Sequence, residues 1–249
     1  LKITFSNARL WRYVMASVGK FIDTGYILIN ENGLTFKAMD PSKTALIIFE
    51  IPKEGFMEFD VESEHKLPLS IEDTAKILRT AEKDDILSIE WDSESITFVF
   101  ERRGVPRAFT IPLYAESAIE DIPELELEIP NKYVIYAAGL YDAINSLEDV
   151  SEVLAVSGDE QKLVLTAEGD IATAEITLDT ERGGLEEAQV ENPGFRALYS
   201  MEYFSYLKSP TKMADRSMLE VDEGLPCRLT LEYSVGARIV YYVAPRVEE

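Results

Sequence analysis

The chain has 249 residues, of which 46% are apolar and 28% charged, and its formal net charge is -22. That balance is globular rather than disordered, and the length suits two domains better than one core. The charge is the reverse of what a free-standing nucleic-acid binder usually carries. No apolar run is long enough to span a membrane as a helix. The single cysteine, Cys227, excludes an internal disulfide and suits a reducing compartment. Leu1–Phe5 alternates like a strand and lacks the layout of a secretion signal.

In chain order, the first helix is expected from Asn7 to about Phe21, with Asn7 as its N-cap and Leu10, Val14, Ala16, Val18 and Phe21 on its apolar face. Strands follow by period-two alternation at Tyr26–Ile29, Leu34–Ala38 and Ala45–Phe49. The only histidine, His65, reads as a solvated loop or strand-edge residue. A second helix is expected from Ser70 to about Lys83, capped by Ser70, with Asp73 three residues on. Further strands fall at Ile86–Glu90, Ile96–Phe100 and Ala108–Ile111.

Residues 116–130 then contain five Glu, one Asp, two Pro and no basic residue, without helical or strand period, and read as an extended acidic connector. Beyond it the first half starts again. Leu10-Trp11 followed by Val14 resembles Leu140-Tyr141 followed by Ile144. Leu34–Ala38 resembles Leu163–Ala167, Thr44–Ile47 resembles Thr173–Ile176, Ser70–Glu72 resembles Ser200–Glu202, and Arg107–Phe109 resembles Arg238–Val240. The order and the near-constant offset point to two copies of one strand-rich unit, each with two helices. In the second copy the helices are expected near Ala138–Val150 and Ser200–Met213. The fold class is therefore α+β in two tandem copies: 1–115, the connector 116–130, and 131–249.

Motifs of catalysis are missing from the sequence. There is no phosphate-binding glycine loop, no G-x-S-x-G elbow and no His/Cys spacing suited to zinc. No cofactor, metal or catalytic residue is expected. The least implausible enzyme would be a hydrolase with paired carboxylates, but no motif fixes a pair.

Three segments carry a family resemblance. Phe36–Ser42 is similar to an "AMDPS" turn, 116–130 with Ile122-Pro123-Glu124 to an interdomain connecting loop, and Tyr241–Glu249 to a "YYLAPR/KIE" ending. Together they resemble the DNA sliding clamps of the proliferating cell nuclear antigen family, of archaeal type. The resemblance implies a non-enzymatic processivity factor in which three two-domain subunits join head to tail around duplex DNA. Helices would line the hole and sheets would face outward. It implies sequence-independent, topological DNA binding, and a cytoplasmic, nucleoid-associated location in an archaeal cell.

The implied DNA-facing residues are Arg9, Arg12 and Lys20 on the first helix, Lys76, Arg79 and Lys83 on the second, and Lys208, Lys212 and Arg216 on the fourth. A solvated helix face would also collect such residues. The third helix departs from the pattern: Asp142, Glu148, Asp149 and Glu152 occur there, with no Lys or Arg between Tyr133 and Gln161. The implied groove for a short hydrophobic partner motif, the PIP box, uses Met39, Thr44, Leu46, Ile122, Pro123, Pro226, Tyr242, Ala244 and Pro245. The competing reading places Met39, Leu46 and Tyr242 in the core, but the matched connector and tail favour the groove. Its partners in the family are DNA polymerase, flap endonuclease, DNA ligase and clamp loader. The implied subunit joint pairs the strand of Arg107, Phe109 and Ile111 with that of Thr173, Glu175 and Thr177. A homotrimer and a ring shared with paralogous chains both fit these features.

Overall fold

The computed structural model describes residues 1–247. Glu248 and Glu249, the end of the tail segment, lie outside the described residues. The chain divides into two compact units. Unit 1 comprises Leu1–Pro41, Ile47–Pro123 and Ser234–Arg238, and unit 2 comprises Ser42–Leu46, Glu124–Tyr233 and the residues from Ile239 onward.

Unit 1 holds β1 (Lys2–Phe5), α1 (Ala8–Val18), β2 (Thr24–Asn30), β3 (Gly33–Met39), β4 (Ala45–Pro52, from Ile47), β5 (Glu58–Phe59), β6 (His65–Ser70), α2 (Ile71–Leu78), β7 (Ile86–Trp91), β8 (Ser95–Arg102) and β9 (Val105–Pro112). One sheet runs β5-β1-β7-β8-β9 and the strands of the other run β4-β3-β2-β6. Unit 2 holds β10 (Asn131–Ile135), α3 (Ala137–Leu147), β11 (Val153–Gly158), β12 (Lys162–Glu168), β13 (Thr173–Asp179), β14 (Leu185–Val190), β15 (Arg196–Ser200), α4 (Met201–Tyr206), α5 (Lys208–Met213), β16 (Arg216–Val221), β17 (Cys227–Glu232) and β18 (Arg238–Val243, from Ile239). Its sheets run β14-β10-β16-β17-β18 and β13-β12-β11-β15. Each order in unit 2 is the order in unit 1 with every strand replaced by its counterpart nine strands later. The repeat read from scattered residue matches is thus a duplication of the whole strand topology.

Local chemistry explains the boundaries. The Asn7 side chain accepts a hydrogen bond from the Leu10 amide at 3.2 Å, and that of Ser70 accepts one from Asp73 at 3.2 Å, so both expected caps are formed. α1 stops at Val18, three residues before the expected end. There the chain tightens, with Lys20 and Phe21 amides donating to the Ser17 and Val18 carbonyls. α2 stops at Leu78, again in tighter turns through Ala81. The single helix expected over Ser200–Met213 is two, broken at Leu207 (φ -94°, ψ 10°). Pro210 is the cause: it has no N–H for the Tyr206 carbonyl, and its ring crowds that carbonyl. The connector is irregular apart from one helical turn at Glu116–Ala118 that the sequence does not signal.

The core of unit 1 gathers on one face of α1. Trp11 is fully buried with its ring edge against Phe49 at 5.1 Å. At the start of β3, Gly33 has φ +146°, and a Cβ there would lie 2.3 Å from the Ile51 carbonyl oxygen, so only glycine fits. His65 opens β6, the outer strand, and its ring meets that of Trp91 edge-on at 5.6 Å.

Candidate nucleic-acid and partner interfaces

Helices α1 and α2 pack together in unit 1. On α1, the guanidinium carbons of Arg9 and Arg12 lie 5.8 and 6.0 Å from the centre of the Tyr13 ring. Arg9 Nη2 donates to Tyr13 Oη at 3.4 Å. Arg12 Nη1 donates to the Ala81 carbonyl at 2.8 Å, in the turn that follows α2, where a cation suits the exposed carbonyls. Lys76 pairs with Glu72 at 2.6 Å one turn away, and that hydrogen bond raises its pKa. Lys20, Arg79 and Lys83 are exposed. Arg79 is the cap residue of α2, and Lys83 lies beyond the helix.

In unit 2, Lys208 opens α5 and is held by Glu148, with Asn145 Oδ1 at 3.3 Å. Lys212 lies 5.1 Å over the Tyr141 ring. Arg216 is not on a helix. It starts β16, between Glu186 at 3.4 Å and Glu232 at 3.9 Å. The helical run ends at Met213, and the alternation of Arg216–Val221 turns the chain into a strand.

The residues expected to form the partner groove divide between the units, six in unit 2 and three in unit 1. In unit 2 the Ala244 amide donates to the Thr44 carbonyl at 2.8 Å, joining the tail to the start of β4. Leu46 is 5% and Tyr242 8% exposed, while Thr44, Pro226, Ala244 and Pro245 are half-buried. The Tyr242 ring lies under Arg228, 5.8 Å away. Arg228 makes two parallel bonds to Glu220, and its Nη1 donates to the connector carbonyl of Leu127 at 3.3 Å. The Glu220 bonds raise the arginine's pKa further.

In unit 1, Met39 ends β3 half-buried. The Ile122 amide donates to Tyr26 Oη at 2.9 Å. Lys66 Nζ donates to the Ile119 carbonyl at 2.9 Å and to Asp121 at 2.7 Å, 4.8 Å above the Tyr26 ring. Burial outweighs this hydrogen bond and raises the Tyr26 pKa. Pro123 is exposed. Lys66, Tyr26 and Arg228, which fix the two ends of the connector, are absent from the sequence-derived site. The one weak signal was the isolated base Lys66 beside His65.

Strands β9 and β13 are terminal in their sheets. On β9, Arg107 bonds Asp85 at 2.6 Å and Phe109 meets Phe100 at 5.9 Å, so both side chains have partners within unit 1. Ile111 is half-buried, whereas Thr173, Glu175 and Thr177 on β13 are exposed. Among the described residues, no group of three or more His, Cys, Asp or Glu is placed to hold a metal. No helix among them is long and apolar enough to cross a membrane.

A duplicated α+β unit with this strand order defines the DNA clamp fold. Residues 1–112 match the family model described as proliferating cell nuclear antigen, N-terminal domain. A protein of Aeropyrum pernix named DNA polymerase sliding clamp 3 is 33% identical over 98% of this chain and 97% of its own length. A solved PCNA2–PCNA3 complex from Sulfolobus tokodaii contains a chain that superposes with a TM-score of 0.91 at 29% identity, covering all of both chains. The fold also matches, at TM-score 0.88 and 22% identity, an A. fulgidus PCNA bound to the C-terminal region of FEN-1. The chain belongs to the proliferating cell nuclear antigen family, and its function is that of a DNA polymerase sliding clamp.

Proposed function

We propose that the chain works as one subunit of a closed ring of three, joined through β9 of one subunit and β13 of the next. The observation that carries this is the pair of terminal strands, one per unit, each with one edge unpaired within its own sheet. Strand-to-strand pairing covers both edges and repeats head to tail until the ring closes. Retention on duplex DNA is then topological, and phosphate contacts need only be loose and sequence-independent. The chain acts inside the cell, on the chromosome.

The basic residues of the helices face the duplex in this reading. Partners dock a short apolar motif on Met39, Thr44, Leu46, Ile122, Pro123, Pro226, Tyr242, Ala244 and Pro245. A few aromatic or aliphatic anchors on the partner's motif would supply most of the binding energy. A relative of this fold is bound to the C-terminal region of FEN-1, so a flap endonuclease is one expected partner, with polymerase, ligase and loader as others. A second reading, that the ring is shared with paralogous chains, is supported by the PCNA2–PCNA3 complex of a relative.

Light scattering over a dilution series tests the assembly. A mass near three times 28.1 kDa, about 84 kDa, is expected for a self-sufficient ring. A persistent monomer or dimer that reaches this mass only with a paralogue supports the shared ring. A chain that joins neither itself nor a paralogue would overturn both.

A further inference from the structure

Because the two units share one topology, equivalent helix positions can be compared directly. Leu10 corresponds to Leu140 and Val14 to Ile144, so Arg9, Arg12 and Tyr13 correspond to Gly139, Asp142 and Ala143. The second copy has lost the whole arginine–tyrosine cluster and holds a carboxylate in place of one arginine.

The ion pairs extend the contrast. Among the described residues, no carboxylate lies within ion-pair distance of Arg9, Arg12, Lys20, Arg79 or Lys83 in unit 1. Of the bases expected to face DNA in unit 2, Lys208 is held by Glu148, and Arg216 lies between Glu186 and Glu232. Only Lys212 is left, over the Tyr141 ring. Asp142, Asp149, Glu152 and Glu202 add further negative charge to α3, α4 and the turn between α3 and β11.

We infer that each subunit holds the DNA backbone chiefly through unit 1, with Arg9 and Arg12 as principal phosphate contacts and Tyr13 as the residue that positions them. The helices of unit 2 leave the phosphates to water. This rests on the reading that the helices face DNA. A base already paired with a carboxylate displaces fewer counterions from the duplex than an unpaired one, so unit 1, with five unpaired bases against Lys212 in unit 2, dominates the salt dependence of binding. Tyr13 presents a ring face to both arginines and a hydroxyl to Arg9. It narrows the range of positions these long side chains sample without neutralising them.

The test is duplex affinity of the assembled clamp as a function of salt, with native mass and melting temperature as controls. Arg9→Gln with Arg12→Gln is expected to weaken binding about tenfold or more at low salt and to flatten the log–log salt slope by roughly two for each subunit that carries the change. Lys208→Gln with Lys212→Gln is expected to change both far less, and Glu148→Gln, which releases Lys208, to tighten binding. If the unit 2 pair matters as much as the unit 1 pair, the asymmetry is overturned and the DNA-facing reading stands. If neither pair changes affinity or slope, the DNA-facing reading itself falls. Tyr13→Ala should weaken binding several-fold with an unchanged slope, and Tyr13→Phe should recover most of the loss. An unaltered affinity in Tyr13→Ala would remove its positioning role.

Discussion

Arg228 and Glu220 face one another across β17 and β16, Nε to Oε2 at 2.5 Å and Nη2 to Oε1 at 2.6 Å. From that fixed fork the same guanidinium covers the Tyr242 ring and bonds the connector at Leu127. Two expected groove elements, the tail strand and the second half of the connector, are therefore organised by one side chain that lies outside the expected groove.

Replacing Arg228 by methionine should cost about 2 kcal/mol, because Glu220, with only 13% of its side chain exposed, is left without its cation. Partner-peptide affinity should fall as well, because Leu127 and Tyr242 lose a shared anchor. A double-mutant cycle with Glu220→Gln, followed by chemical denaturation, would show coupling of the two changes. Additive effects would mean that the fork does not act as a unit.

Leu46→Ala and Tyr242→Ala should each reduce binding of a PIP-box peptide at least tenfold, about 1.4 kcal/mol, while ring assembly persists. Both residues are largely buried, so some stability will also be lost. Tyr242→Phe separates the effects, since it keeps the ring and removes only the hydroxyl near Arg228. Polymerase stimulation that survives in well-folded alanine variants would place the docking site elsewhere.

Asn7→Ala should destabilise the protein by about 1 kcal/mol, and Asn7→Gly by only a few tenths. The Leu10 amide loses its acceptor in both, but glycine leaves the chain end open to water. Urea unfolding at constant slope would measure the difference. Equal losses in the two variants would mean that the cap bond contributes little.

Burial pushes the Cys227 thiol up to about 12, well above its ordinary value of 9.0. It raises the phenols of Tyr133, Tyr199 and Tyr233 as well. Each neutral acid is favoured by folding, so its contribution is intact below the unfolded pKa and is lost as pH rises through the folded one. Melting temperature should therefore decline from about pH 9 upward, less steeply in Cys227→Ala. The thiol should resist a disulfide reagent at pH 8 until the chain is unfolded. Rapid labelling of the native protein would contradict its burial.

Much of the strand pattern was legible because apolar alternation is local, and so were the caps at Asn7 and Ser70. The duplication was legible because its two copies keep similar residues at near-constant separation. The break at Leu207 was legible in principle, since Pro210 inside a helical run signals it, but apolar spacing on both sides masks the interruption. Arg216 was misplaced because it follows the last helical turn closely and only strand pairing removes it from the helix. Lys66 and Arg228 could not be read as connector anchors, because their partners lie 53 to 101 residues away. No local pattern encodes a contact of that range.

The two units exchange short segments: Ser42–Leu46 belongs with the second, and Ser234–Arg238 with the first. A protease that cuts the exposed acidic connector would therefore not produce two self-sufficient halves. Each fragment would lack five residues of its own unit and carry five of the other's. Gene-level dissection at the connector should accordingly yield two incomplete pieces, best recovered by co-expression.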